Sequence, residues 1–173
     1  MTGPGPDGPV DDHLLGDDVD DPPPSADELV ALELLIDGWL ARHLEENPVV
    51  EAVERDTETG ERRWFLRVTG DEKSVFSIWF HLRQRNLHVE TYLMPAPEER
   101  AGDLYEHLLR RNVRLHGLSF AIGEEDAVFV VGEFPARWVD DALLDRVLGS
   151  FYVVVEQCFR PAMRIGFASR FRG

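Results

Sequence analysis

Residues 104–158 read LYEHLLRRNVRLHGLSFAIGEEDAVFVVGEFPARWVDDALLDRVLGSFYVVVEQC, and this run decides the fold. Leu104, Tyr105 and Leu108 fall at helical spacing, and Arg110-Arg111 stand where cations suit the negative end of a helix dipole. Asn112 closes that helix. Leu118, Phe120 and Ile122 then alternate as in a half-buried strand. Gly123-Glu124-Glu125-Asp126 reads as a hairpin loop, and residues 127–131 form an unbroken apolar strand. An unbroken run predicts burial on both faces and a central place in the sheet. Phe134-Pro135 is expected to open the last helix, because proline suits a first turn. Leu144, Val147 or Leu148, Phe151, Val154 or Val155, and Cys158 make its apolar stripe, and Pro161 is expected to end it.

Upstream, Pro95-Ala96-Pro97 separates that unit from a strand-rich region and places the start of the 104–112 helix near residue 98. Residues 49–55, 62–69, 75–83 and 87–94 alternate apolar and polar side chains across short turns, the pattern of an antiparallel meander. Ahead of them, Ser25 and Glu28 form a capping box, and Leu29, Leu32, Ile36, Trp39 or Leu40 recur helically up to Asn47-Pro48. This predicts a helix over residues 26–46. The order α-β-β-β-(β)-α-β-β-α predicts an α+β fold: an antiparallel sheet with helices on one face.

Residues 1–24 differ from the rest. They hold seven aspartates, no Lys or Arg, and many Gly and Pro. Such a segment buries too little apolar area to offset its ordering entropy, so it reads as a disordered acidic tail. Its bland role is solubility; a sharper one is a docking motif at His13-Leu14-Leu15. Without it the net charge moves from −15 to −8. The expected domain is 25–166, followed by a basic tail at 167–173. With this charge nucleic acid is a poor partner, and anionic membrane surfaces are repelled. The absence of a leader pattern and of a long apolar run makes the cytoplasm the expected location.

Catalytic motifs are absent: there is no phosphate-binding loop, no nucleophile elbow and no zinc spacing. No cofactor is expected. His81 and His88 on neighbouring strands read as surface histidines, the acidic pairs as solvated carboxylates, and Cys158 as a buried thiol. The informative signal is the second face of the meander. If Trp64, Phe76, Phe80 and Val89 point to the core, alternation sends Phe65, Val75, Trp79, Tyr92 and Met94 to the other side. Arg63, Arg67, His81, His88 and Glu90 share it. Aromatics interleaved with charges suit a client or dimer interface.

The helix ending LLRRN at residues 108–112, the hairpin FAIGEEDAVFVVGEFP and the amphipathic last helix together resemble the bacterial YbjN domain family, described as sensory transduction regulators. The resemblance covers roughly residues 25–166. It implies a fold similar to type III secretion chaperones and a non-enzymatic, homodimeric protein that binds another protein or an extended peptide. If the chaperones' use of sheet patches carries over, Phe65, Trp79 and Tyr92 are the matching residues. The Asp-, Arg- and Gly-heavy usage is similar to that of actinobacteria. The competing reading is a small-molecule sensor with a pocket between the sheet and the last helix.

Overall fold

A computed structural model describes residues 22–171. The expected acidic tail, up to residue 21, lies outside the described residues. Helix α1 spans Ala26–Glu46 and begins as the sequence predicts. The Ser25 hydroxyl accepts from Glu28 N, and the Glu28 carboxylate accepts from Ser25 N at 2.7 Å. Strands β1 (Val50–Arg55), β2 (Arg63–Thr69), β3 (Val75–Leu82) and β4 (Asn86–Met94) form the meander. Helix α2 (Ala101–Asn112), strands β5 (Leu118–Ile122) and β6 (Val128–Pro135), and helix α3 (Asp141–Gly166) complete the order.

The sheet is six-stranded and antiparallel, ordered β1-β2-β3-β4-β6-β5. After β4 the chain passes through α2 to the far edge, and the hairpin brings β6 back beside β4. Alternation does what a period of two requires. Trp64, Leu66, Val68, Phe76, Ile78, Phe80, Leu82, Leu87 and Val89 are all buried on the inner face. Ile36, Trp39 and Leu40 of α1 and Leu144, Phe151 and Val155 of α3 join the same core. Its two large indoles keep their N–H groups satisfied, as buried tryptophans must. Trp64 Nε1 donates to Asp37 of α1 at 2.6 Å, and Trp39 Nε1 donates to Asp145 of α3 at 2.7 Å. Those two bonds tie α1 to β2 and to α3.

Four expectations are corrected. Helix α2 starts at Ala101, not near residue 98, because Glu98 N and Glu99 N donate to the carbonyl of Gly166 at the end of α3. Helix α3 starts at Asp141, not at Phe134-Pro135, which instead finish β6 opposite Leu87 and Asn86. The Asp140 carboxylate caps α3, accepting from Leu143 N at 2.7 Å. Pro161 does not end α3; the helix runs on to Gly166. Proline costs a helix interior one hydrogen bond and about 3 kcal/mol. Burial of Ala162, Gly166 and Phe167 just beyond it offsets that cost. The expected tail after 166 is partly structured: a short 3-10 turn at Ala168–Phe171, with Arg170 ion-paired to Glu98 and Ser169 N donating to Glu99.

Strand β6 is the fourth correction. It is an interior strand, but it is not buried on both faces. Val128 and Val130 lie in the core, whereas Phe129 and Val131 are only half-buried. The helices cover one side of the sheet, so even an apolar strand exposes its odd face.

Candidate functional site

The uncovered side of the sheet carries the candidate site, and strand register sorts its residues into rows. At the β3–β4 turn end, Arg63, His81, His88 and Glu133 are successive cross-strand partners over β2, β3, β4 and β6. The next row is Phe65, Trp79, Glu90 and Val131. Beyond it lie Arg67 and Ser77, then Tyr92 opposite Phe129. Two edge-to-face aromatic pairs result, Phe65–Trp79 with centroids 6.3 Å apart and Tyr92–Phe129 at 5.6 Å.

Of the residues expected on this face, Phe65 and Trp79 stand together and line a cleft of about 310 Å³ with Arg63, His81, Arg83 and His88. Arg67 is exposed on the same face and pairs with Glu51 at 3.3 Å. Val75 and Tyr92 are each 37% exposed, Val75 at the opposite end from the cleft. Met94 is a correction. It is fully buried, next to Gly166 of α3. A register shift between Tyr92 and Met94 adds a residue to β4, so Leu93 and Met94 both turn inward. Strict alternation fails at that bulge.

The structure adds residues that the pattern did not single out. Phe129 and Val131 extend the apolar face across β6, hidden in the sequence within a run that reads as core. Lys73 is the second addition. Its ammonium donates to the carbonyls of Tyr92 and Leu93, freed at the bulge, and lies 5.0 Å above the Tyr92 ring and 5.4 Å from that of Phe159. Burial pushes its pKa down to about 8. A lysine in a turn cluster carries no sequence signal of such a place.

Charges at the other end form a network. His88 Nε2 is 3.1 Å from Glu90 and its Nδ1 is 3.3 Å from Glu133; Glu133 also pairs with Arg83 at 3.1 Å and accepts from Asn86. Arg63 pairs with Glu61 at 2.7 Å. Burial holds the His81 pKa below the usual histidine range, and the nearby Arg63 and Arg83 guanidiniums push the same way. His81 and His88 do meet, as direct cross-strand partners. Among the described residues, no three His, Cys, Asp or Glu side chains gather as a metal-holding group. Cys158 is buried in the core, and burial raises its thiol pKa. The open side of the sheet thus carries two edge-to-face aromatic pairs, arginines and a histidine pair.

A second apolar surface lies at the sheet edge. Strand β5 has no partner on its outer side among the described residues. Beside it Tyr105, Leu108, Leu109, Phe120, Ile122 and Val128 line a groove of about 380 Å³. Leu109 is 61% exposed, Ile122 54% and Val113 86%. Among the described residues no helix is long and apolar enough to cross a membrane.

The class of fold follows from solved structures. A chain of the heterodimeric ExoU-SpcU complex from the type III secretion system of Pseudomonas aeruginosa superposes with a TM-score of 0.52 at 15% identity, covering 73% of this chain and 96% of that one. A chain of the HopA1-SchA chaperone-effector complex superposes with a TM-score of 0.52 at 16% identity, covering 80% and 99%. The fold is that of the type III secretion chaperones. Family membership is narrower. The YbjN model, described as "Putative bacterial sensory transduction regulator", matches residues 36–162, more than half of the chain. The chain belongs to the YbjN family. An uncharacterised protein of Mycobacterium tuberculosis is 30% identical over 104 residues, and one of Mycobacterium leprae is 28% identical over 107. These matches take in 60% and 62% of this chain but only 57% and 58% of the relatives' own lengths.

Proposed function

We propose that this chain is a non-enzymatic, chaperone-like module that binds an extended segment of another protein on its open sheet face. The carrying observation is that face itself: Phe65–Trp79 and Tyr92–Phe129 stand half-exposed with arginines and histidines around them, and the helices lie on the other side. Aromatic and arginine side chains are those that dominate protein interfaces. The effector-bound chaperone with this fold adds support. The proposed working state is a cytoplasmic homodimer. The free edge of β5, with Leu109 and Ile122 beside it, is the surface that suits a second copy. The sensor reading asks for a pocket between sheet and α3, where Phe151 and Val155 are fully buried in the core.

The test is affinity purification of the full chain from its native host, comparing wild type with Trp79→Ala and Phe65→Ala. The expected result is a polypeptide that follows wild type and is lost from both variants while their melting temperatures stay close to wild type. An unchanged set of co-purifying proteins overturns the reading. Light scattering after size exclusion tests the dimer: Leu109→Asp should yield a monomer, and a wild type already monomeric at high concentration removes the dimer claim.

A further inference from the structure

One cross-strand row of the open face is acidic at both ends and aromatic between them. Register places Glu54 of β1 opposite Phe65 of β2, Phe65 opposite Trp79 of β3, and Trp79 opposite Glu90 of β4. Cross-strand partners share a side of the sheet, so a carboxylate stands at each end of the Phe65–Trp79 pair. Glu54 is exposed, and among the described residues nothing forms a hydrogen bond or ion pair with its carboxylate. The Glu90 carboxylate meets His88 Nε2 at 3.1 Å, which leaves most of its lone-pair sites open.

The neighbouring arginines do not cancel these two charges. Arg63 pairs with Glu61 at 2.7 Å, Arg67 with Glu51 at 3.3 Å and Arg83 with Glu133 at 3.1 Å. Each guanidinium has a carboxylate of its own, and Glu54 and Glu90 remain in excess. Lys73, at the Tyr92 end of the face, is held by the bulge carbonyls. Burial first, and then Arg63 and Arg83, hold the His81 pKa below the usual histidine range, so His81 adds no positive charge beside the row at neutral pH. The chain as a whole carries a net charge of −15, and its long-range field also draws cations. A tryptophan ring is the best aromatic surface for an ammonium or guanidinium group, so Trp79 shares the preference of the carboxylate beside it.

The spacing of the row fits an extended chain. Glu54 and Glu90 stand three strand spacings apart, about 14 Å. In an extended segment, side chains i and i+4 point to the same side and lie about 13 Å apart, with i+2 midway. We propose that the client segment of the open face is basic, with Lys or Arg at positions i and i+4 on Glu54 and Glu90 and an apolar side chain at i+2 between Phe65 and Trp79. The segment lies across the strands rather than along them. Both ends of the row are acidic, so the motif fits in either chain direction. The inference rests on the reading of this face as a client surface, and adds to it the client's charge and spacing.

The experiment titrates the isotope-labelled full chain with a nine-residue peptide that carries lysines four apart, a phenylalanine midway between them, and glycine or serine elsewhere. The resonances of the Trp79 indole N–H and of the Phe65 and Glu90 amides should shift on binding, while those of Val30 and Leu34 on the outer side of α1 stay in place. Glu54→Gln and Glu90→Gln keep side-chain size and should each weaken binding by several-fold at an unchanged melting temperature. Binding should fall by several-fold as well in ~1 M salt, where the Debye length drops to roughly 3 Å. A peptide with glutamates in place of the lysines, and one with its lysines only two apart, should each bind several-fold more weakly. Equal binding of either control peptide overturns the proposal, as does an affinity that neither glutamine substitution changes. Absence of any shift at Trp79 also overturns it; if Trp79→Ala still loses the co-purifying polypeptide, the client surface stands and only its basic client falls. Binding of the lysine peptide to the row while Trp79→Ala leaves the co-purifying set unchanged overturns the client reading and leaves the row standing as a site for cations.

Discussion

Glu156, on the half-buried side of α3, holds the β2–β3 turn against the helix. Its carboxylate accepts from three successive amides: Asp71 N at 2.8 Å, Glu72 N at 3.0 Å and Lys73 N at 3.2 Å. That turn delivers Lys73 to the β4 bulge, with its ammonium over the Tyr92 ring, so one end of the candidate face depends on it. Glu156→Ala removes all three acceptor contacts and leaves the donors of Glu72 and Lys73 half-buried, with that of Asp71 exposed. A hydrogen bond to a charged group contributes roughly 1.5–3 kcal/mol when sheltered and less where water can replace it, so the expected loss is about 2–3 kcal/mol. For a chain of this size that lowers the melting temperature by roughly 5–10 °C. Glu156→Gln keeps one acceptor oxygen and should lose less. Gly70 supplies an internal check, because a Cβ there would sit 2.3 Å from Glu156 Oε1 and 2.9 Å from the Lys73 carbonyl. Gly70→Ala should therefore cost clearly less in the Glu156→Ala background, with a coupling of about 1 kcal/mol or more. Urea unfolding of the four proteins in that cycle gives the numbers. A Glu156→Ala loss under about 0.5 kcal/mol, or strictly additive variants, refutes the claim that the carboxylate clamps the turn.

Two further outcomes are expected. Met94→Ala, on the inner side of the bulge, should cost roughly 2–5 kcal/mol in urea unfolding, as for a large core side chain; a loss no larger than that of Tyr92→Ala would place Met94 on the open face after all. Lys73 should give a pH-dependent term. Its native pKa of about 8 lies below the usual 10.5, so between those values the unfolded chain binds more protons and this group's contribution to stability rises with pH. Its carbonyl partners favour the charged form and part of the side chain meets water, so the rise is on the order of 1–2 kcal/mol. Stability measured at pH 7.5 and at pH 9.5 should climb more in wild type than in Lys73→Met, and equal slopes would show that the ammonium is not desolvated. The comparison with the variant is needed because the raised thiol pKa of Cys158 works in the opposite sense at high pH.

Much of this fold was legible in local pattern. A strand alternates because its side chains point to opposite sides with a period of two, so the buried sets Trp64-Leu66-Val68 and Phe76-Ile78-Phe80-Leu82 could be read directly. The start of α1 was equally local, since a capping box needs only residues three apart. The candidate face followed from the same alternation, and Phe65, Trp79 and Tyr92 lie where it put them. What failed depended on partners distant in the chain. Pro161 is carried inside α3 because residues beyond it pack beside β4 and α2. Met94 turned inward at a bulge set by pairing with β6. Phe129 and Val131 read as core, but the helices cover a single side of the sheet, and an apolar run cannot announce which side that will be. Lys73 became desolvated only when the turn docked on Glu156. The sequence by itself determined which residues share a face, because backbone geometry sets that period residue by residue. The tertiary structure alone decided which face stays open, because that depends on how the helices pack across the sheet.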